Sequence, residues 1–131
     1  YYLYGEGIEL FTLNPEIEII CDDERKRVGI TSKNFSDQEI LDRYIAAMVY
    51  EGTKILQEKI AIRPSDIDVV YTNGYGFPKW RGGPMKYADM IGLDKVLANI
   101  KKYYQEDKRF WSPPQLLQDL VNNGKNFDSL N

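Results

Sequence analysis

The 131 residues include 43% hydrophobic and 13% aromatic side chains, enough for one sizeable core, and a formal net charge of −3 from 17 basic and 20 acidic residues. The charges are spread along the chain and leave no electrostatic footprint for nucleic acid or anionic membrane. No histidine is present, which removes the commonest general base near neutral pH, Ser-His and Cys-His nucleophilic sites, and imidazole metal ligands.

Cys21 is the single cysteine, so neither an intrachain disulfide nor a thiolate zinc site is available; beside Ile19 and Ile20 it reads as a partly buried helix residue, not a reactive thiol. No apolar run approaches the roughly 20 residues that span a bilayer, and no charged n-region followed by an apolar h-region opens the chain, so secretion is not expected. A first residue of Tyr1 in place of methionine suggests a piece of something longer.

The opening segment 1–13 is aromatic and glycine-bearing without helical period, and reads as an extended arm or the end of a linker whose tyrosines need a surface to lie on. The rest, 14–131, reads as one helical domain. Asn14 as N-cap and Pro15 at the first helical position open a helix to Val28 with Ile17, Ile20 and Cys21 on one face and Gly29 as its stop. Within it, Asp22, Asp23 and Glu24 precede Arg25, Lys26 and Arg27, in register for ion pairs three and four residues apart.

Ser36-Asp37-Gln38-Glu39 has the form of a capping box and starts the strongest helix, running through about Glu58. Ile40, Leu41, Tyr44, Ile45, Met48, Val49, Ile55 and Leu56 make its apolar face, and Gly52 in that face permits close approach of another helix. Ser65-Asp66-Ile67-Asp68 repeats the capping pattern for a short helix carrying Ile67, Val70 and Tyr71, ending near Asn73 with Gly74 as left-handed cap. Pro84 opens a helix stopped by Gly92; Leu93 to Tyr104 forms the next, with Val96, Leu97 and Ile100 inward. Pro113-Pro114 starts the last, carrying Leu116, Leu117, Leu120 and Val121 and closed by Gly124. No segment shows sustained strand alternation, so the expected fold is all-α, a compact bundle of about six helices.

One segment is not generic: Asn73 to Pro84 holds four glycines, two prolines and three aromatics in twelve residues. Gly74 and Gly76 permit positive φ or close packing, while Tyr75, Phe77 and Trp80 are expected to insert into the bundle and hold the loop rigid together with Pro78, Gly82, Gly83 and Pro84. A dinucleotide fingerprint is excluded, because its third glycine is missing and a helix, not a strand, precedes it. Lys79 and Arg81 beside the helix start at Pro84 form a weaker candidate for a substrate anion, since free amides and the helix dipole point outward there. The blander reading has Arg81 bonding nearby carbonyls in a rigid corner. Neither a catalytic nor a metal-binding set emerges; Asp66 with Asp68, and Glu39 with Asp42, are better explained as helix-start acids than as acid and base.

Ile67-Asp68-Val69-Val70-Tyr71-Thr72-Asn73-Gly74-Tyr75-Gly76-Phe77-Pro78, followed by Arg81-Gly82-Gly83-Pro84-Met85, resembles the C-terminal helical region of multifunctional β-oxidation enzymes of the peroxisomal bifunctional type. These join enoyl-CoA hydratase/isomerase and 3-hydroxyacyl-CoA dehydrogenase activities on one polypeptide. The likeness extends through Glu39 to Arg43, Tyr50 to Gly52, Ile55 to Glu58, Asn14-Pro15 and Tyr2.

The resemblance implies the second of two helical repeats that follow a nucleotide-binding part, with NAD a cofactor of the parent and none bound here. In the first repeat an asparagine at the start of the long helix assists the active site; Asp42 stands at the matching place, which implies a repeat kept for packing. Implied partners are the preceding repeat and the hydratase and dehydrogenase domains, with self-association of the isolated piece as a further option. The implied location is the peroxisome or the bacterial cytoplasm. The alternative reading is an acyl-CoA binding module using the Gly74 to Pro84 loop, with Lys79 and Arg81 on the phosphates.

Overall fold

A computed structural model describes residues 2–4 and 11–131, with side chains from residue 14 onward. Contacts divide the chain into two compact units, Tyr1–Phe35 and Ser36–Asn131. The break follows the first helix, whereas the boundary expected from sequence lies between residues 13 and 14.

In the first unit, strands β1 (Tyr2–Tyr4) and β2 (Phe11–Leu13) pair antiparallel with Leu3 opposite Thr12, a short ribbon inside the segment read as an extended arm. The surface covered by the arm's tyrosine side chains lies outside the described residues. Helix α1 (Pro15–Val28) forms as its sequence dictates: the Glu16 amide donates to the Asn14 side chain at 3.0 Å, and Gly29 ends the helix at φ 72°. The expected ion pairs are present three residues apart, Arg25 to Asp22 at 2.7 Å and Arg27 to Glu24 at 2.5 Å. Cys21, expected to be partly buried, is exposed with Ile19 and Ile20, so α1 is held by its caps and surface pairs and has no buried residue.

The second unit is all-α and contains α2 (Asp37–Gln57), α3 (Pro64–Gly74), α4 (Pro84–Ile91), α5 (Leu93–Tyr104) and α6 (Gln115–Asn122), with 3-10 turns at Lys79–Arg81 and Phe127–Leu130. Together with α1 these are the six helices expected. Ser36 Oγ accepts the Glu39 amide at 3.2 Å to start α2. Its middle turns bury Ile45, Met48, Val49 and Tyr50 against Met85 and Ala88 of α4, Val96, Ile100 and Tyr103 of α5, and Leu117 of α6; Phe127 closes the core. Ile40, Leu41 and Tyr44, expected on the same buried stripe, are exposed, because no other helix of this unit covers that face of the first two turns.

Gly52 meets its expectation. A β-carbon there would lie 2.6 Å from Met85 Sδ and 3.7 Å from Ile67 Cδ1, so α3 and α4 both approach α2 at the one residue without a side chain. Gly74, by contrast, is the last residue of α3 and has open space around it; the left-handed glycine that follows the helix is Gly76, at φ 69°. We therefore expect Gly52→Val to cost about 1–3 kcal/mol through overpacking, while Gly74→Ala is neutral or stabilises by up to about 1 kcal/mol by limiting the unfolded chain. Urea denaturation of the two variants measures both signs.

Candidate functional site

The chemistry-bearing residues gather around the corner between α3 and α4. Pro64, not Ser65, opens α3: Arg63 is its N-cap, and the Arg63 amide and guanidinium both donate to the Asp66 carboxylate, the closest contact being 2.7 Å. That partner holds the Asp66 carboxyl below its ordinary range.

Shifting the N-cap two residues earlier, from Ser65 to Arg63, frees Asp68 from the local capping role expected for it. Its buried carboxylate instead reaches the start of the next helix and accepts the Met85 amide at 2.7 Å and the Lys86 amide at 3.0 Å. Burial pushes the Asp68 carboxyl above the usual carboxylate range; the two amides oppose the shift, and the charges of Asp89 and Asp128 add to it.

This contact shapes the loop. At Gly83, φ is 115°, and a β-carbon there would stand 2.4 Å from the Asp68 carboxylate oxygen, so only glycine lets the carboxylate reach the α4 amides. It also bears on the anion site expected at this helix start. The Met85 and Lys86 amides at the Pro84 helix start, the place expected for an anion, donate to a carboxylate of the chain itself.

Of the loop aromatics, Phe77 alone inserts into the core. Gly76 turns the backbone, and the Phe77 amide donates to the Tyr71 carbonyl at 3.1 Å, while Tyr75 and Trp80 remain 74% and 77% exposed. Tyr75 packs on the Tyr71 ring instead, at 5.3 Å between centroids. Pro78 and Lys79 are exposed, as is Gly82, which closes the 3-10 turn at φ 79°.

Arg81 does not bond the nearby carbonyls. Its guanidinium carbon lies 4.4 Å from the Trp80 ring centroid and 4.3 Å from that of Tyr87, and its buried Nη1 has no hydrogen-bond partner. Arg81 borders a cleft of about 220 Å³ with Leu41, Tyr44, Ile45, Phe77 and Pro78. Tyr87 is a site residue that the sequence gives no sign of, since it sits in the following helix, six positions from Arg81.

A second, mainly apolar cleft of about 360 Å³ opens between Ile55, Ile60, Ala61, Ile62, Ile67 and Val70. Of its lining residues Ile60, Ile62 and Val70 are more than half exposed, as is Val69 beside them in the chain. The carboxylates weighed as an acid and base pair are engaged structurally: Glu39 with Arg43 at 3.2 Å, and Asp42 accepting from Gln38 at 2.8 Å. Among the described residues no cluster of three potential metal ligands occurs.

The family profile described as 3-hydroxyacyl-CoA dehydrogenase, C-terminal domain, matches residues 40–128. A peroxisomal bifunctional enzyme of Danio rerio is 44% identical over 113 residues, covering 85% of this chain and 16% of that protein. The corresponding human enzyme is 40% identical over 102 residues, covering 76% of this chain and 14% of its own length. A fatty acid oxidation complex subunit alpha of Psychrobacter is 38% identical over 96 residues, 73% of this chain and 13% of the subunit. The chain therefore spans only a small fraction of the relatives it matches.

Asp68→Asn places an amide NH2 against a backbone donor and leaves a buried amide unsatisfied, an expected loss of about 1–3 kcal/mol in urea denaturation. The raised carboxyl has a signed consequence as well. The folded state holds a proton that the unfolded chain has released, so this contribution to stability is greatest below the ordinary carboxylate range and declines as pH rises through the elevated value. The wild-type advantage over Asp68→Asn should accordingly shrink with rising pH across that window.

Proposed function

Because the chain belongs to the family of 3-hydroxyacyl-CoA dehydrogenase C-terminal domains, we propose that it is a packing domain, without chemistry of its own, of a longer fatty-acid β-oxidation enzyme. On this proposal the longer chain oxidises 3-hydroxyacyl-CoA with NAD and hydrates enoyl-CoA, in the peroxisome or the bacterial cytoplasm. The helical domain braces the preceding repeat and the hydratase and dehydrogenase parts. The domain in question is taken as the family-matched helical region, and the ribbon and α1 precede it.

The observation that carries this reading is the uncovered apolar face of α3 and the turn before it. Ile60, Ile62 and Val70 line a 360 Å³ cleft and are 71%, 86% and 54% exposed, and Val69, next to Val70 on α3, is 59% exposed. Contiguous exposed aliphatic surface of this kind is unusual on a domain that works alone and ordinary where another domain lies against it. Asp42, which stands where the first repeat of the resembling enzymes has an active-site asparagine, supports the same reading: its carboxylate accepts a hydrogen bond from Gln38 of its own helix. The acyl-CoA alternative keeps Lys79 and Arg81 but loses the helix start as a phosphate seat, because Asp68 occupies those amides.

Mixing this chain with a relative's enzyme truncated before its own matching region tests the role. The chain should bind the truncated enzyme and raise its thermal stability. Val70→Asp should weaken that binding by about tenfold or more, as expected for a central apolar contact, without changing the urea midpoint of the chain. NAD-dependent oxidation of 3-hydroxyacyl-CoA by this chain alone, or full binding by Val70→Asp, would refute the reading.

A further inference from the structure

We infer that the cleft beside Arg81 is a seat for an acidic protein segment: an aliphatic side chain enters the cleft, and a neighbouring aspartate or glutamate pairs with the guanidinium. The inference rests on the packing role proposed above and names the chemistry of one contact.

Arg81 has no hydrogen bond and no carboxylate partner among the described residues, and its Nη1 is shut off from water without an acceptor. A partly desolvated cation left in this state is costly, and the cost is recovered when an anion arrives. The acids on neighbouring elements are engaged elsewhere: Glu39 with Arg43, Asp68 with the α4 amides, Asp89 with the Phe127 and Asp128 amides, and Asp128 with Lys86. The Trp80 and Tyr87 rings occupy the neighbourhood of the guanidinium at 4.4 and 4.3 Å as cation-π partners. Nη1 lies below the surface, so what remains for a partner are the other N–H groups of the guanidinium, which pair with a carboxylate placed beside them.

Size and surroundings select the occupant. About 220 Å³ is below the range of ordinary small-ligand pockets and suits one inserted side chain. Tyr44 and Tyr75 of its lining are 59% and 74% exposed, and Trp80, stacked on Arg81, is 77% exposed, aromatic surface that a small molecule would leave wet and a protein segment would cover. Exposed Lys79 adds a second positive charge beside the cleft, favouring an acidic partner. A phosphate group fits less well, because its stronger hydration would be surrendered to an apolar cleft holding a single guanidinium.

The test uses the capped tripeptide Leu-Glu-Leu, its Leu-Gln-Leu counterpart, and hexanoate, each titrated into the 131-residue chain while the Trp80 indole and Arg81 Nε–H signals are followed by NMR. The Glu peptide should shift both signals. The Gln peptide should bind about tenfold more weakly, the loss of one charge-assisted pair. Arg81→Gln should abolish the difference between the two peptides. Equal affinity for both peptides on the wild-type chain, or shifts that map away from the cleft, overturns the inference even if Arg81→Gln does not fold. Hexanoate binding as tightly as the Glu peptide would mark a small-carboxylate site instead and overturn the protein-segment assignment. The packing role fails separately: a truncated relative that binds Arg81→Gln as tightly as wild type refutes only this seat, whereas peptide binding without any binding of the truncated relative refutes only the packing role.

Discussion

The corner between α3 and α4 depends on one carboxylate. Asp68, buried near the middle of α3, accepts two amides at the start of α4 seventeen and eighteen residues later. Because Pro84 has no N–H, the carboxylate thereby satisfies two of the three donors left open at the N-terminus of α4. Two helices are pinned by their polar groups as well as by Ile67 and Met85, and the loop between them has little freedom. Gly83 must be glycine for the carboxylate to pass, Phe77 is carried into the core, and Arg81 is set between Trp80 and Tyr87.

The same device recurs through the helical unit. The Leu116 amide at the start of α6 donates to Gln57 at the end of α2, the Ser65 amide at the start of α3 donates to Asn131, and the amides of Phe127 and Asp128 donate to Asp89. Three of these helices begin at or just after proline, with Arg63, Gly83 or Pro114 in the capping position. None of those N-caps supplies a short side-chain acceptor in the usual way, so distant residues supply it. Each such cap ties together parts of the chain that hydrophobic packing alone would let slide, since apolar contacts are non-directional.

This economy bears on function. With amides at the starts of α3, α4 and α6 engaged by side chains from elsewhere in the unit, these helix starts offer fewer backbone donors to a phosphate. The groups left without partners in this unit are of another kind: the apolar face of α3, the aromatic rim of the loop, and the Arg81 guanidinium. They are the ingredients of a protein interface more than of an active site. The packing role proposed for this domain of the 3-hydroxyacyl-CoA dehydrogenase C-terminal family rests on those surfaces.

Helix positions were legible in the residues because their causes are local. Asn14, Ser36, Pro84, Gly92 and Gly124 act within a turn of themselves, and the apolar spacing of α5 and α6 marks their buried faces without reference to any neighbour. Gly52 announced a close approach because a glycine in an apolar stripe has few other uses. What the residues could not disclose depends on where separate helices come to lie. Periodicity made Ile40, Leu41 and Tyr44 apolar but could not tell that no helix of the unit would cover them. Composition made Tyr75 and Trp80 aromatic but could not turn them outward. The pattern around Ser65 suggested a local cap, while Asp68 found amides in another helix. Sequence spacing determines which groups can meet within about one helical turn; caps between helices, and the Arg81 cleft they position, arise only when packing brings distant residues together.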